Sequence, residues 1–321
     1  MHSRRLAALL GVLALGGCAE ADLPWSTLEA RYVTPASRFA DLPGGLHVHY
    51  RDQGDPAAPH ILVLVHGFAA SLQAWEPWVA RMTPRYRVIT LDLPGHGLTR
   101  APHGYRASLD ADVALIDDLT RRLDAPRFVI GGNSMGGDVA WRYALSHPER
   151  LDGLILVDAA GWPHAQKTGG GSVLVFRLLE SPPGRWVLEH IDPTPLARRG
   201  LKQAYVDPSL VTPDLVHRYV DLARAPGHRA ILLTQDIGSQ RPVTPATFTA
   251  IRTPTLVMVG AVDTVIPPSD SRGLAEAIPG AKLIVYPGVG HVPMEQVPDA
   301  SAADAKAFVD ALPKDPAPPQ T

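Results

Sequence analysis

Cysteine is almost absent from this chain of 321 residues: Cys18 is the only one. No internal disulfide can form, so the folded body must be held together by packing. A metal site has little to build on, because His47 and His49 share one strand face but have no evident third ligand, and no metal is expected. Excess charge of one sign is also missing. There are 30 Lys and Arg against 32 Asp and Glu, a formal net charge of -2, and no strong basic block. That excludes the electrostatic footprint of a nucleic-acid binder. Internal repeats and a heptad seam are lacking, and the prolines are scattered through loops. What is present is a 45% hydrophobic share with 19% charged residues, enough for a sizeable core. The length suits one large domain or two ordinary ones.

The first residues form a segment of their own. "MHSRRLAALLGVLALGGCAEAD" carries Arg4 and Arg5, an apolar run from Leu6 to about Leu15, and then small residues. This is the layout of an export signal, and the run is too short to span a membrane as a helix. Its end, "LGGC", resembles the bacterial lipobox, in which cleavage precedes a cysteine that receives lipid. The resemblance implies a signal peptide over 1–18 and a lipid anchor on Cys18 in the cell envelope. Ala19 in place of Asp implies the outer membrane if the cell is Gram-negative. Residues 19–35 are expected to be a tether.

Beyond it, apolar runs recur with helical stretches between them. "GGLHVHYRDQG" (44–54) alternates like an early strand. "HILVLVHGF" (60–68), "YRVITLDLPGHG" (86–97), "RFVIGG" (127–132) and "LDGLILVDAAG" (151–161) begin as continuous apolar runs, as strands covered on both faces do. "TPTLVMVGAVD" (253–263) and "AKLIVYPGVGH" (281–291) repeat the form. Between them "SLDADVALIDDLTRRLD" offers Ser108 as an N-cap and keeps Leu109, Val113, Ile116, Leu119 and Leu123 on one helical face. Alternation of this kind predicts an α/β fold with a mostly parallel sheet between helices. It stops over 162–248, where the segments read as helices; this stretch is expected to be a helical cap inserted into a core of 36–161 and 249–311. The tail, 312–321, is expected to be disordered.

Gly132-Asn133-Ser134-Met135-Gly136 satisfies G-x-S-x-G, between an apolar strand and a helix. The alternatives are a plain turn and a turn built to present Ser134. Small residues on both sides of the serine favour the second, because strand and helix must approach closely there. A hydroxyl is a weak nucleophile and needs a base. Among thirteen histidines, His291 stands out because it follows the last predicted strand. Asp263 ends the strand before, and the chain order Ser134, Asp263, His291 is one of the known triad orders. Asp158, which also ends a strand, is the rival acid. Acyl transfer also needs two backbone N–H groups for the oxyanion. Met135, directly after the serine, and Phe68, in "VHGFAAS", are the expected donors. His66, Asp92 and His96 are expected to be structural loop residues.

"VHGF", "DLPGHGLT", "GGNSMGG", "GAVDTVIP" and "GVGHVPMEQVP", in this order, make the chain resemble the α/β-hydrolase fold family over about residues 36–311. The resemblance implies a mostly parallel sheet of the eight-stranded type with the cap after the sixth strand. It implies serine hydrolase chemistry on carboxylic esters, with no cofactor. The serine sets the chain apart from branches with an aspartate nucleophile, such as haloalkane dehalogenases and most epoxide hydrolases. The partner expected is a small-molecule or lipid ester. Val173, Leu174, Val175, Phe176, Leu178, Leu179, Trp186, Val187 and Leu188 make the cap apolar, either to pack it down or to line an acyl pocket. Alternatives are a C–C bond hydrolase, a perhydrolase on the same triad, and a non-catalytic binding scaffold.

Overall fold

The computed structural model describes residues 21–163, 182–235 and 243–313. Cys18, the cap residues 173–176, 178 and 179, and the tail from 314 lie outside the described residues. Of Val187 and Leu188 only the backbone is described, within helix Pro182–His190.

Eight strands form one sheet: β1 (Ser37–Leu42), β2 (Leu46–Gln53), β3 (Ile61–Val65), β4 (Arg87–Leu91), β5 (Phe128–Asn133), β6 (Leu151–Val157), β7 (Thr255–Gly260) and β8 (Lys282–Tyr286). Their order across the sheet is β1-β2-β4-β3-β5-β6-β7-β8. The β1–β2 and β2–β4 pairs are antiparallel and all the others parallel. The apolar runs sit in the middle for a physical reason. Leu62, Leu64, Val129 and Ile155 point to one face and Val63, Val65, Ile130 and Leu156 to the other, and helices cover both.

One face is covered by α3 (Leu109–Arg122) and α4 (Met135–Ser146), which bring Ile116, Val139 and Trp141. The other is covered by α2 (Glu76–Met82) and α12 (Pro298–Asp310), with Trp78, Met82 and Phe308. Ser108 caps α3, its Oγ accepting from the Ala111 N–H at 3.2 Å. The helix buries Leu109, Val113, Ile116 and Leu119, as their spacing demands. Truncating fully buried Ile116 to alanine would cost about 2–5 kcal/mol.

Between β6 and β7 lie α5 (Pro182–His190), α6 (Thr194–Tyr205), α7 (Pro213–Ala223), α8 (His228–Thr234) and α9 (Pro245–Phe248). Helix α6 stands over the C-terminal strand edge. Gln203 donates through Nε2 to the Thr264 carbonyl at 2.8 Å, and Thr264 Oγ1 returns a bond to the Gln203 carbonyl at 3.1 Å.

The stretch 19–35 departs from a free tether. Helix α1 (Trp25–Tyr32) lies within it, with Leu28 fully buried beside Leu98, Leu222 and Ala225. Arg31 and Tyr32 both donate to Asp221 Oδ2 on α7, at 2.6 and 2.8 Å. The Leu23 N–H reaches the Arg224 carbonyl at 2.7 Å. The edge strand β1 was likewise not marked by the sequence pattern. At the other end Leu312, placed in the disordered tail by its sequence, is buried against the α12 side of the core.

Candidate active site

β5 ends at Asn133 and α4 begins at Met135, so Ser134 alone makes the turn between them. Its backbone is forced to φ 55°, ψ -119°. A non-glycine residue held there costs of order 1–3 kcal/mol, which the surroundings must offset. The Ser134 N–H donates to the Val157 carbonyl at 3.1 Å, and its carbonyl accepts from the N–H groups of Gly137, Asp138 and Ala160 at 2.9, 3.2 and 3.0 Å. The flanking glycines are needed for space. A Cβ on Gly132 would lie 2.0 Å from the Gly136 carbonyl oxygen, and one on Gly136 would lie 2.2 Å from that of Val65.

His291 sits in the loop after β8. Its Nδ1 donates to Asp263 Oδ2 at 2.7 Å, since an ionised carboxylate can only accept. Asp263 has a fully buried side chain, and its Oδ1 accepts from the N–H groups of Val265 and Ile266 at 2.7 and 3.1 Å. Ser134 and His291 line one cavity of about 410 Å³. With Nδ1 committed to Asp263, the other ring nitrogen of His291 is the one left for a proton.

Asp158 follows β6 with no exposed surface, and its Oδ1 accepts from the Gly260 N–H at 3.0 Å. The bond to the imidazole runs from His291 to Asp263. Burial, and then the Asp263 charge, push the Asp158 carboxyl well above the usual carboxylate range. One donor atom each from Asp158, Asp263 and His291 lie within 4.8 Å of one another. That is close enough to surround a cation, but the His291 Nδ1 proton is directed at Asp263.

Phe68 is half exposed and lines the cavity beside Gly67 and Ala69. This loop abuts the turn, for a Cβ on Gly67 would come within 3.2 Å of the Ser134 Cβ. Met135 is the first residue of α4, and N–H groups of a first helical turn have no partner inside the helix. Its side chain is buried, with Sδ accepting from Gln235 Nε2 at 3.3 Å.

The other motif residues serve the scaffold. His66 donates through Nδ1 to the Gly67 carbonyl at 2.8 Å and accepts the Leu93 N–H at Nε2 at 3.0 Å. Burial lowers its tendency to charge. Asp92 Oδ1 accepts from the Leu72 N–H, and Oδ2 from His49 Nδ1 and the Leu98 N–H. Burial opposes its charge, but the His49 bond and these donors outweigh it and hold the carboxyl below its ordinary range. His96 donates to the Pro94 carbonyl at 3.0 Å. His47 pairs with Asp41 and His49 with Asp92, so the two imidazoles do not share a ligand.

Two features escaped the sequence reading. Among the described residues the cavity is walled by Leu196, Leu201, Tyr205 and Tyr219 on α6 and α7, while Trp186, one of the residues singled out as apolar cap, is 59% exposed. The helical spacing of Leu196, Ala197, Leu201, Ala204 and Tyr205 was the available signal. Asn133 is the second: its Nδ2 donates to the His291 carbonyl at 3.0 Å. Nothing in its sequence neighbourhood marks that role.

Residues 62–305 match the family model described as the Alpha/beta hydrolase family. A 2-hydroxy-6-oxo-2,4-heptadienoate hydrolase of Pseudomonas putida is 28% identical over 265 residues, covering 79% of this chain and 90% of that protein. Lipase 1 of Psychrobacter immobilis is 26% identical over 290 residues, covering 88% of this chain and 84% of the lipase. Among solved structures, a bacterial membrane phospholipase A superposes with a TM-score of 0.71 at 26% identity, covering 96% of each chain.

Proposed function

Because the chain belongs to the alpha/beta hydrolase family, we propose that it is a serine hydrolase of carboxylic esters with an apolar acyl group, acting through an acyl-enzyme on Ser134. The observation that carries this reading is the strained turn at Ser134, opening on the cavity that His291 also lines, with His291 bonded to Asp263. His291 takes the Ser134 proton as the oxygen attacks the ester carbonyl. Asp263 orients the ring and balances the imidazolium. The Phe68 and Met135 N–H groups hold the oxyanion. The imidazolium protonates the leaving alcohol, and water then releases the acid by the same steps. The cavity wall of Leu196, Leu201, Tyr205 and Val292 suits an aliphatic acyl chain.

A second reading, C–C bond hydrolysis, is favoured by the dienoate hydrolase relative. A dienoate carries a carboxylate, which a buried site would pair with a cation. No lysine or arginine is among the described residues that line the cavity.

The reading extends to the envelope, where Cys18 carries a lipid anchor. Its support is the pair Arg4 and Arg5, the apolar run and the position of the sole cysteine. No helix among the described residues is long and apolar enough to cross a membrane.

The test is hydrolysis of chromogenic esters from short to long acyl chains, with Ser134→Ala as control. That variant should fold and lose about 10⁶-fold in kcat. Undiminished turnover by folded Ser134→Ala sinks the nucleophile, and dienoate cleavage without ester turnover moves the assignment to the second reading. Labelled palmitate should enter the wild type and not Cys18→Ala; equal labelling removes the anchor.

A further inference from the structure

Asp158 is a buried acid that the chemistry above leaves unused. Its N–H donates to the Met258 carbonyl at 2.9 Å, its φ is 43°, and its Oδ1 takes one hydrogen bond, from Gly260. Its Oδ2 is buried and, as a carboxylate oxygen, would have no donor. Yet a side-chain oxygen of Asp158 and one of Asp263 lie within 4.8 Å of each other, beside a ring nitrogen of His291. Two carboxylates can bond to each other only if one of them carries a proton.

The bonding decides which one. Asp263 receives three donors, the N–H groups of Val265 and Ile266 and the His291 Nδ1–H. Asp158 receives one. Hydrogen bonds to the charged form favour it, so the charge belongs on Asp263 and the proton on Asp158. The titratable groups facing Asp158 are Asp263, His291 and, on β8, Tyr286. Two charges side by side in this buried site would each lack a compensating cation while His291 is neutral.

We propose that Asp158 is a neutral carboxylic acid whose Oδ2–H donates to the Asp263 carboxylate, making it a positioning residue for the triad. The raised Asp158 carboxyl agrees with this placement. The shared proton fixes the plane of the Asp263 carboxylate and lets two acids present a single negative charge to His291. A second charge would make the imidazolium a weaker acid and slow its proton transfer to the leaving group. The inference rests on the triad reading of Ser134, Asp263 and His291.

The experiment measures kcat and KM against pH for the full chain and three variants. Asp158→Asn keeps a donor without charge, and asparagine tolerates the left-handed backbone. It should stay within about threefold of wild-type kcat, with the acidic limb of the profile moved by less than about 0.3 pH unit. Asp158→Ala removes the donor, so kcat should fall about tenfold at similar KM and the acidic limb should rise. Two outcomes overturn the inference. One is an acidic limb lowered by about one unit in Asp158→Asn, which means that a charge was removed. The other is an Asp158→Ala profile identical to wild type. Asp263→Asn separates the roles, because retained activity there with loss in Asp158→Asn makes Asp158 the triad acid. Infrared difference spectra of wild type against Asp158→Asn read the proton without any turnover. A protonated-carboxyl carbonyl band that disappears in the variant supports the neutral acid even if ester hydrolysis fails, and its absence from the wild type refutes it.

Discussion

The Asn133 side chain donates from Nδ2 to two main-chain carbonyls at once, Val157 at 3.1 Å and His291 at 3.0 Å. The residue next to Ser134 thus ties the end of β6 to the loop that carries the imidazole. Through it the strained turn and the histidine share one support.

Asn133→Ala should therefore lower kcat more than it raises KM. The buried His291 carbonyl would lose its Asn133 donor, at about 1–3 kcal/mol, while the Val157 carbonyl keeps the Ser134 N–H, and the His291 loop would lose its register with Ser134. Steady-state kinetics on a short ester should show a kcat loss of roughly 10- to 100-fold. Wild-type kcat in folded Asn133→Ala would contradict the shared support.

Gly136→Ala should destabilise the fold itself. The new Cβ would lie 2.2 Å from the Val65 carbonyl oxygen and 2.5 Å from that of His66. Backbone atoms cannot swing aside as side-chain tips do, so the loss should reach about 3 kcal/mol or more. Thermal unfolding measures it, and a Tm equal to wild type would show that the turn has room for the methyl group.

Gly200 lies on α6 and lines the cavity, and a Cβ there meets nothing within 4 Å. Gly200→Phe should fold well, because glycine in a helix interior costs about 1 kcal/mol against better helix formers. The ring should occupy cavity space, cutting kcat/KM for long-chain esters about tenfold and sparing short ones. A uniform loss across chain lengths would place the acyl group elsewhere.

Asp112 is fully buried on α3, and neither carboxyl oxygen has a hydrogen-bond partner among the described residues. Burial raises its carboxyl to about 8. The folded protein then holds a proton that the unfolded chain releases near pH 4. On this account stability is greatest below that pH and falls as pH rises towards about 8, by roughly 1.4 kcal/mol per pH unit in mid-window. Asp112→Asn should flatten that slope in denaturant titrations from pH 5 to pH 7, to roughly zero on this group's account. An unchanged slope would mean that Asp112 is ionised in the native state.

The sheet was legible wherever burial on both faces left a continuous apolar run, as in "ILVLV" and "LILV". It was not legible at β1, "SRFADL", an edge strand with a buried-exposed rhythm and two charges. Helix α1 was missed for a different reason. Its own residues are weakly patterned, and what orders it is Asp221 and Arg224, about 190 positions away. The site divides in the same way. Ser134, Asp263 and His291 each stand in a local motif at a strand end, so their positions could be read one by one. The Asn133 bond to His291 spans 158 positions, and which of Asp158 and Asp263 meets the His291 ring depends on side-chain directions that no motif encodes.

The packing of α1 changes what an anchor at Cys18 would do mechanically. Arg224 grips the Ala21 carbonyl through Nε and Nη2, and Arg229 grips Asp22, so the chain is already held on α7 and α8 three positions after the cysteine. Three residues reach at most about 10 Å. A lipidated form would be moored rather than leashed. It would be free to spin about the membrane normal but poorly able to roll, with its α7–α8 flank turned towards the lipid.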